Sequence, residues 1–415
     1  MGSMMASPSK PQAAEVLVCS AADITFKPST STVALDDQLV ISPDSSTYQA
    51  LKTASDHLLI QKRPIAFPTE TVYGLAAPAL YPETVGRIFS TKGRPADNTL
   101  IVHVSSRYML NSLLPKDYVT SPLYETLIKA FWPGPLTLLF PANPDTVPPI
   151  VTAGHSTVAI RMPSHPIARA LISFTKTPLA APSANSSGKP SPTKAEHVLH
   201  DLGEKLGLIL DGGPCDVGLE STVVDGLGED GHLRVLRPGG VTVEDLKKAL
   251  AEAGISSRVL VHQKDFSDAQ MEETPTTPGM KYRHYSPSVP VVLLISSPTP
   301  TSAAESFEDI LGSCTMFRSE KPTSSCSVGL LLTSDSPFKP RIPQPNPEDK
   351  MSFILYNLGP RSSPQITAQR LFDGLLSLER QGVDVILIEG VEEVNEGLAV
   401  MNRVRKAAGE VRWVR

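Results

Sequence analysis

Twice along this chain, short apolar runs alternate with segments of helical spacing, and a long polar stretch divides the two series. Alternation of this kind with short loops builds α/β domains. In the first series, IAFPTETVYGL, TLIVHV, LTLLF, TVAIRM, PLAAPS, LGLILDGG, STVVDG and LRVLR read as strands. Helical spacing marks TYQALKTASDHLLIQKRP, PETVGRIFSTKGRP, SPLYETLIKAFW, PIARALISFT and KAEHVLHDLG, and VTVEDLKKALAEAG is a helix with Thr242 as its capping residue. The sheet is expected to be twisted and mixed. Composition then turns polar through HQKDFSDAQMEETPTTPGMKYRHYSPS, the expected linker. From Val289 the second series brings VPVVLLI, CSVGLLLT, FILYNLG and VDVILIEGV, with helices in SAAESFEDILG, TAQRLFDGLLSLERQ and AVMNRVRKAAG. Those four strands are nearly continuous apolar runs, as in a parallel sheet covered on both faces.

At 415 residues the chain exceeds what one hydrophobic core usually serves, which agrees with two domains. The formal net charge of −5 and pI near 6.0 give no global basic field. A polyanionic ligand must therefore meet a local cluster of cations, and a non-specific nucleic-acid coat is excluded. Cys19, Cys215, Cys314 and Cys326 are far apart and form neither a C-x-x-C pair nor a disulfide framework, which suits a reducing compartment and argues against structural zinc. No run approaches the roughly 18 apolar residues of a membrane span, and the amino terminus lacks a basic region leading into an apolar core. The expectation is a cytoplasmic protein without a membrane anchor. No Arg precedes Arg63, so a mitochondrial pool is the minor reading, and Ala6 breaks the myristoylation pattern.

The residues able to carry chemistry gather where strands meet loops. FPTETVYG is a hydroxyl-rich turn, and Lys92-Gly93-Arg94 follows a helix, beside Asp97 and Asn98, with His103 on the next strand. Arg161 ends TVAIR, Ser183-Ala184-Asn185 and Ser191 lie in PSANSSGKPSPT, Ser221-Thr222 follow DGGPCDVGLE, and Arg237 precedes PGG. Open α/β sheets bind ligands at such junctions. Singly, each has an ordinary use: cations complement a helix end, Ser-Ala-Asn closes a turn, Gly212-Gly213 lets a strand exit, and Trp132 fills core. Neither G-x-x-x-x-G-K-[ST] nor a strand-borne G-x-G-x-x-G occurs, which sets aside a Walker-type ATPase and a dinucleotide dehydrogenase.

FPTETVYGL, IFSTKGRPADNTLIVHV, WPGPLT, VAIRMPSHP, APSANSSGKPSPT, ESTVVD and LRPGG occur in that order, and together they resemble the YrdC-like domain of threonylcarbamoyl-AMP synthases. TPGMKYRHYSP and the α/β tail resemble the long form of that family. The resemblance implies a flexible lead over 1–43, a YrdC-like mixed-sheet α/β domain over 44–243, a helix and linker or lid over 244–288, and a smaller Rossmann-like α/β domain over 289–415. One departure is Thr99, where the family carries proline.

The family makes L-threonylcarbamoyladenylate and pyrophosphate from L-threonine, bicarbonate and ATP. The product serves the N6-threonylcarbamoyl modification of adenosine 37 in tRNAs that decode ANN codons. The threonine carbamate attacks the α-phosphorus of ATP, so two anions must meet and cations are needed. Carried over residue by residue, the resemblance implies Lys92, Arg94, Ser183 and Asn185 as catalytic. It implies ATP contacts from Lys92, Arg94, Asn98, Thr157, Ser183, Ser191, Arg237 and Tyr285. For threonine it implies Thr69 or Thr71, Tyr73, His103, Arg161, the backbone at Ala181, and Ser221. Glu70, Asp97 and Glu220 are scattered among loops, so Mg²⁺ is expected to arrive on the triphosphate. The linker, with Lys281, Tyr282, Arg283, His284 and Tyr285, is expected to act as a lid hinged at Pro278-Gly279 and to offer tRNA a weak contact. The product would pass to a separate tRNA threonylcarbamoyl transferase complex. The competing classes are a hydrogenase-maturation carbamoyltransferase and a double-stranded RNA-binding module. Neither suits a chain lacking paired C-x-x-C motifs and a basic surface charge.

Overall fold

The computed structural model describes residues 13–28, 35–267, 284–296, 304–317, 326–344 and 351–415. The hinge at Pro278-Gly279 and the residues Lys281, Tyr282 and Arg283 lie outside the described residues.

The first unit opens with β1 (Glu15–Val18), followed by β2 (Thr25–Lys27) and β3 (Gln38–Val40), which form an antiparallel ribbon. Next come β4 (Ile65–Phe67), β5 (Gly74–Pro78), β6 (Ile101–His103), β7 (Leu136–Pro141), β8 (Thr157–Arg161) and β9 (Leu179–Ala180). β10 (Leu208–Asp211), β11 (Thr222–Asp225), β12 (Leu233–Arg237) and β13 (Val259–Val261) complete it. Apart from the ribbon they make one 11-stranded mixed sheet, ordered β1-β10-β4-β5-β9-β6-β8-β7-β11-β12-β13.

Side-chain alternation sorts the sheet's two faces. Ile65, Phe67, Leu208 and Leu210 meet the helices Ser46–Leu59 and Pro166–Thr175 in one apolar cluster. Ala66, Ile209, Leu75 and Ala77 meet Pro82–Lys92, Pro122–Phe131, Ala195–Leu202 and Val243–Glu252 in another. Caps fix where these helices begin. The Ser45 hydroxyl accepts from the Tyr48 N–H, and Thr242 with Asp245 forms a reciprocal capping box.

The second unit holds β14 (Val291–Ser296), β15 (Cys326–Leu332), β16 (Met351–Asn357), β17 (Val385–Glu389) and β18 (Glu410–Val414), all parallel, in the order β16-β15-β17-β14-β18. Helices Pro364–Arg380 and Glu396–Ala407 cover one face and Phe307–Ser313 the other. Among the described residues no helix is long and apolar enough to cross a membrane.

Three features differ from the sequence reading. Glu15–Val18, inside the expected lead, is an edge strand parallel to β10. The first sheet continues past residue 243 through Val243–Glu252 to β13, which pairs with β12. EVRWV at the carboxyl end is a fifth strand, with Val411 and Trp413 partly exposed; its charged and aromatic alternation lacks the apolar run of its neighbours.

β1 shields the edge of β10, whose first three residues, Leu208, Ile209 and Leu210, are apolar and buried. Deleting residues 1–20 should lower the melting temperature by several degrees and raise light scattering on heating; unchanged values would show β1 to be dispensable.

Candidate active site

Loops at one end of the first sheet converge on a cavity lined by three guanidiniums, Arg94, Arg161 and Arg237, and one carboxylate, Glu220. Hydroxyls of Thr69, Thr71, Ser183 and Ser221 share the wall with Val72, Gly74, Ile101, Ala181, His103, His284 and Tyr285. Free space amounts to about 50 Å³, far below the ~300–1,000 Å³ that drug-sized ligands occupy.

Backbone geometry explains two glycines of the motifs. A Cβ on Gly74 would meet the Phe67 ring at 2.7 Å, at the point where Gly74 bridges to Ser183. On Gly239 it would meet the Glu220 carbonyl oxygen at 2.3 Å, so the turn after β12 lies flat against the residues entering β11 only because no side chain intervenes.

At one end, Arg161 is buried at the tip of β8, donates to the Thr71 hydroxyl at 2.8 Å and forms an ion pair with Glu70. Burial opposes the Glu70 charge, but Arg161 outweighs it and holds this carboxyl below its usual range. Thr69 lies 2.8 Å from the Thr71 oxygen and donates to the Val72 carbonyl, so its proton is committed to the turn. His103 is buried edge-on to Phe67, and burial with Arg161 pulls its pKa down to about 3. It is therefore a neutral imidazole at physiological pH.

At the other end, Arg237 donates through Nε and Nη2 to the Ser221 carbonyl and through Nη2 to the Ser221 hydroxyl at 3.1 Å. Arg94 follows Gly93, whose left-handed φ of 62° ends the helix Pro82–Lys92 and turns the chain toward the cavity. Its Nη2 reaches the Thr99 carbonyl, while its Nε is buried with no hydrogen-bond partner. A guanidinium in that state is suited to receiving an anion. Tyr285 closes the roof, 1% exposed and held at φ 68°.

The remaining sequence-derived residues sit elsewhere. Lys92, expected in a polar loop, is buried as the last helical residue, and its ammonium donates to the Ser183 and Asn185 carbonyls behind the wall. Burial, with Arg94 adding to it, pulls that ammonium well below its ordinary pKa. The Asn185 amide donates to the Ser186 and Lys189 carbonyls, shaping the same loop. Ser191 is fully buried, its hydroxyl donating to Glu220 at 2.6 Å. Asn98 bonds Asp97 and the Pro95 carbonyl outside the cavity, and Thr157 begins β8 at the end away from Arg161. The Tyr73 hydroxyl donates to the Gly213 carbonyl at 2.8 Å, away from the cavity lining.

Sequence reasoning missed Glu220 as a hub and Arg403 altogether. Arg403, 183 residues downstream, puts its Nε and Nη2 3.1 Å from one Glu220 oxygen. No local pattern connects a helical arginine in the second series to a loop of the first.

Comparison with known proteins gives a consistent picture. A family model described as "Telomere recombination" matches residues 57–239, and one described as "Threonylcarbamoyl-AMP synthase, C-terminal domain" matches 241–409. The chain is similar to the threonylcarbamoyl-AMP synthase of Schizosaccharomyces pombe, 44% identical over 89% of this chain and 90% of that one. It is similar to that of Bacillus subtilis at 41% over 85% and 91% respectively. Among solved structures, Sua5 of P. abyssi complexed with L-threonine superposes with a TM-score of 0.72 at 37% identity, covering 97% of this chain and all of that one.

Lys92→Ala removes the donor from two loop carbonyls, each worth about 1–3 kcal/mol if left unsatisfied, so its melting temperature should fall clearly. Arg94→Met removes a guanidinium buried with an unanswered Nε and should melt no lower than the parent chain, yet lose any stabilisation gained on adding ATP. Thermal shift with and without ATP separates the two; the opposite pattern would exchange their roles. His103 stays neutral in the fold but takes a proton when unfolded, so its contribution to stability is lost as pH falls from 6.5 toward 3. His103→Gln should flatten melting temperature against pH in that window.

Proposed function

The chain belongs to the threonylcarbamoyl-AMP synthase family, and on that premise we propose that it condenses L-threonine, bicarbonate and ATP to threonylcarbamoyl-AMP and pyrophosphate, for modification of adenosine 37 in tRNAs that decode ANN codons. The observation that carries this reading is the pairing, in one cavity, of a carboxylate-type receptor at Arg161 and Thr71 with an anion receptor at Arg94 and Arg237. An amino acid and a polyphosphate are what such ends fit.

The threonine amine first becomes a carbamate, adding to carbon dioxide with loss of a proton or condensing with bicarbonate with loss of water. A carbamate oxygen then attacks the α-phosphorus, the new O–P bond forms, and the bond to the bridging oxygen breaks as pyrophosphate leaves. Arg161 binds the substrate carboxylate through its planar fork, exchanging part of its contact with Glu70. Thr71 is the better placed of the two threonines, because the Thr69 proton serves Val72. Val72, Ile101 and Ala181 give the pocket an apolar side for the substrate methyl. Arg94 and Arg237 offset charge on the phosphates, with Ser183 directing a hydrogen bond. Lys92 and Asn185 act by holding the Ser183 loop in place.

Glu70 is committed to Arg161 and Glu220 to Arg403, and Asp97 accepts from Asn98 outside the cavity, so Mg²⁺ would arrive on the triphosphate. With Tyr285 and His284 over so small a space, the linker serves as a lid that opens for nucleotide and shuts out water from the labile mixed anhydride. The product then passes to a tRNA threonylcarbamoyl transferase complex in the cytoplasm.

Pyrophosphate release should require ATP, threonine and bicarbonate together, each omitted in turn; release independent of threonine would refute the assignment. One methyl in an apolar contact is worth about 1–3 kcal/mol, so serine should be used roughly 10–200 times less efficiently. Equal use of serine would remove the apolar wall from the specificity argument.

A further inference from the structure

The cavity borrows part of its support from the second unit. Val72 and Leu219, on loops of the first unit, are buried in the second unit's apolar cluster. Gly218, at φ 74°, lies so close to the helix Pro364–Arg380 that a Cβ would meet the Gln369 Cα at 2.4 Å. Through this interface passes Arg403, fully buried on Glu396–Ala407. Its Nε and Nη2 share one Glu220 oxygen at 3.1 Å, its Nη1 donates to the Pro238 carbonyl, and its guanidinium lies 5.7 Å from the Tyr285 ring centroid.

These contacts bracket the anion-facing groups. Glu220 directly precedes Ser221 at the entry to β11, and Pro238 directly follows Arg237 at the exit from β12. The other Glu220 oxygen accepts from Ser191. Resting on the activity proposed above, we infer that Arg403 is a positioning residue for adenylate formation, a second-unit side chain that fixes Glu220 and the Pro238 turn and through them orients Ser221 and Arg237 toward the nucleotide. A buried ion pair adds little to adhesion that apolar residues of the same volume would not supply, so its place in a largely apolar interface points to orientation. Adhesion has its own ionic contact at Asp373, which meets Lys194 at 2.8 Å and His197 at 3.2 Å away from the cavity lining.

The groups facing Glu220 give this role a signature. Burial raises its pKa, but Arg403 and then Arg237, with the Ser191 hydrogen bond, bring it down to about 2. Lys92, Lys406, His284 and the Tyr285 phenol also lie within its field. Without Arg403 the burial effect gains weight and Glu220 takes up a proton at higher pH.

The test uses the full chain with R403M, R403K, E220Q, the double variant E220Q/R403M, and D373N. It measures melting temperature, ATP affinity by calorimetry, and pyrophosphate release between about pH 5 and 9. R403M should lose roughly 10–100-fold in kcat/KM for ATP, as when a partner that orients a binding group is removed. Its KM for threonine, set at the Arg161 end, should stay unchanged. R403M should also gain an acid limb in the pH profile that the double variant lacks, and R403K should recover part of the loss. Because Arg403 acts largely through Glu220 and otherwise through the Pro238 carbonyl, the double variant should lose less than the product of the two single losses. D373N should melt lower with kcat/KM for ATP within about twofold of the parent, in keeping with a contact outside the site. Parental ATP affinity and kcat/KM in R403M, multiplicative losses in the double variant, or an equal loss in D373N would each overturn the inference. If R403M folds poorly, the double variant, with no unpaired charge, carries the test: it should fold and bind ATP weakly, and parental ATP affinity in it would overturn the role. A parent chain that releases no pyrophosphate would refute the activity itself, while the calorimetric comparison would still read the effect of Arg403.

Discussion

Like charge held close in a nearly closed space is the constraint around which this molecule is arranged. Arg94, Arg161 and Arg237 line one cavity, and Lys92 lies buried just behind its wall. In a medium of low polarity, such groups repel one another and each resents the loss of water. The fold answers at each position in a different way. Arg161 keeps Glu70 beside it, Arg237 leans on the Ser221 carbonyl and has Glu220 in its field, and Lys92 spends its protons on two loop carbonyls. Arg94 keeps a buried Nε unanswered, a local instability that a bound phosphate would remove.

Much of this could be read from the sequence because strand ends advertise themselves. Apolar runs located most strands, and polar residues at or near their ends, Thr71, Arg161, Ser183, Ser221 and Arg237, do meet around one space, joined by Arg94 from a helix end. What stayed hidden depends on side-chain direction or distant pairing. Tyr73 lies within the same turn motif as Thr71, yet its hydroxyl goes to Gly213. Lys92 and Arg94 are two residues apart, but a left-handed glycine between them sends one inward to a loop and the other to the cavity. β1 and β18 are short edge strands; Glu410 and Arg412 break the apolar pattern of β18, while β1, apolar over Val16, Leu17 and Val18, is too short to stand out from the lead around it. No spacing rule could have joined Arg403 to Glu220.

The second unit therefore is more than an appendage to a catalytic domain. Its parallel sheet has helices on both faces, and the apolar cluster on one of them takes in Val72 and Leu219 of the first unit. Those two residues would stand in water without the helices that cover them. Loops that carry chemistry are commonly the mobile parts of an α/β fold. Here two of them, carrying Val72 and Leu219, are gripped from behind by the second unit's helices.

Gly218 condenses that dependence into a single position. Its left-handed backbone and the main chain of Gln369 lie in contact, so the smallest side chain would wedge the two units apart. The unit over which natural variation has to be interpreted is accordingly not the domain. A substitution in the helix Glu396–Ala407 or opposite Gly218, though remote in the chain and silent in any motif of the first unit, falls on the same small set of atoms as a change in the substrate pocket, and harmless drift on one side of the seam must be matched by what the other side tolerates.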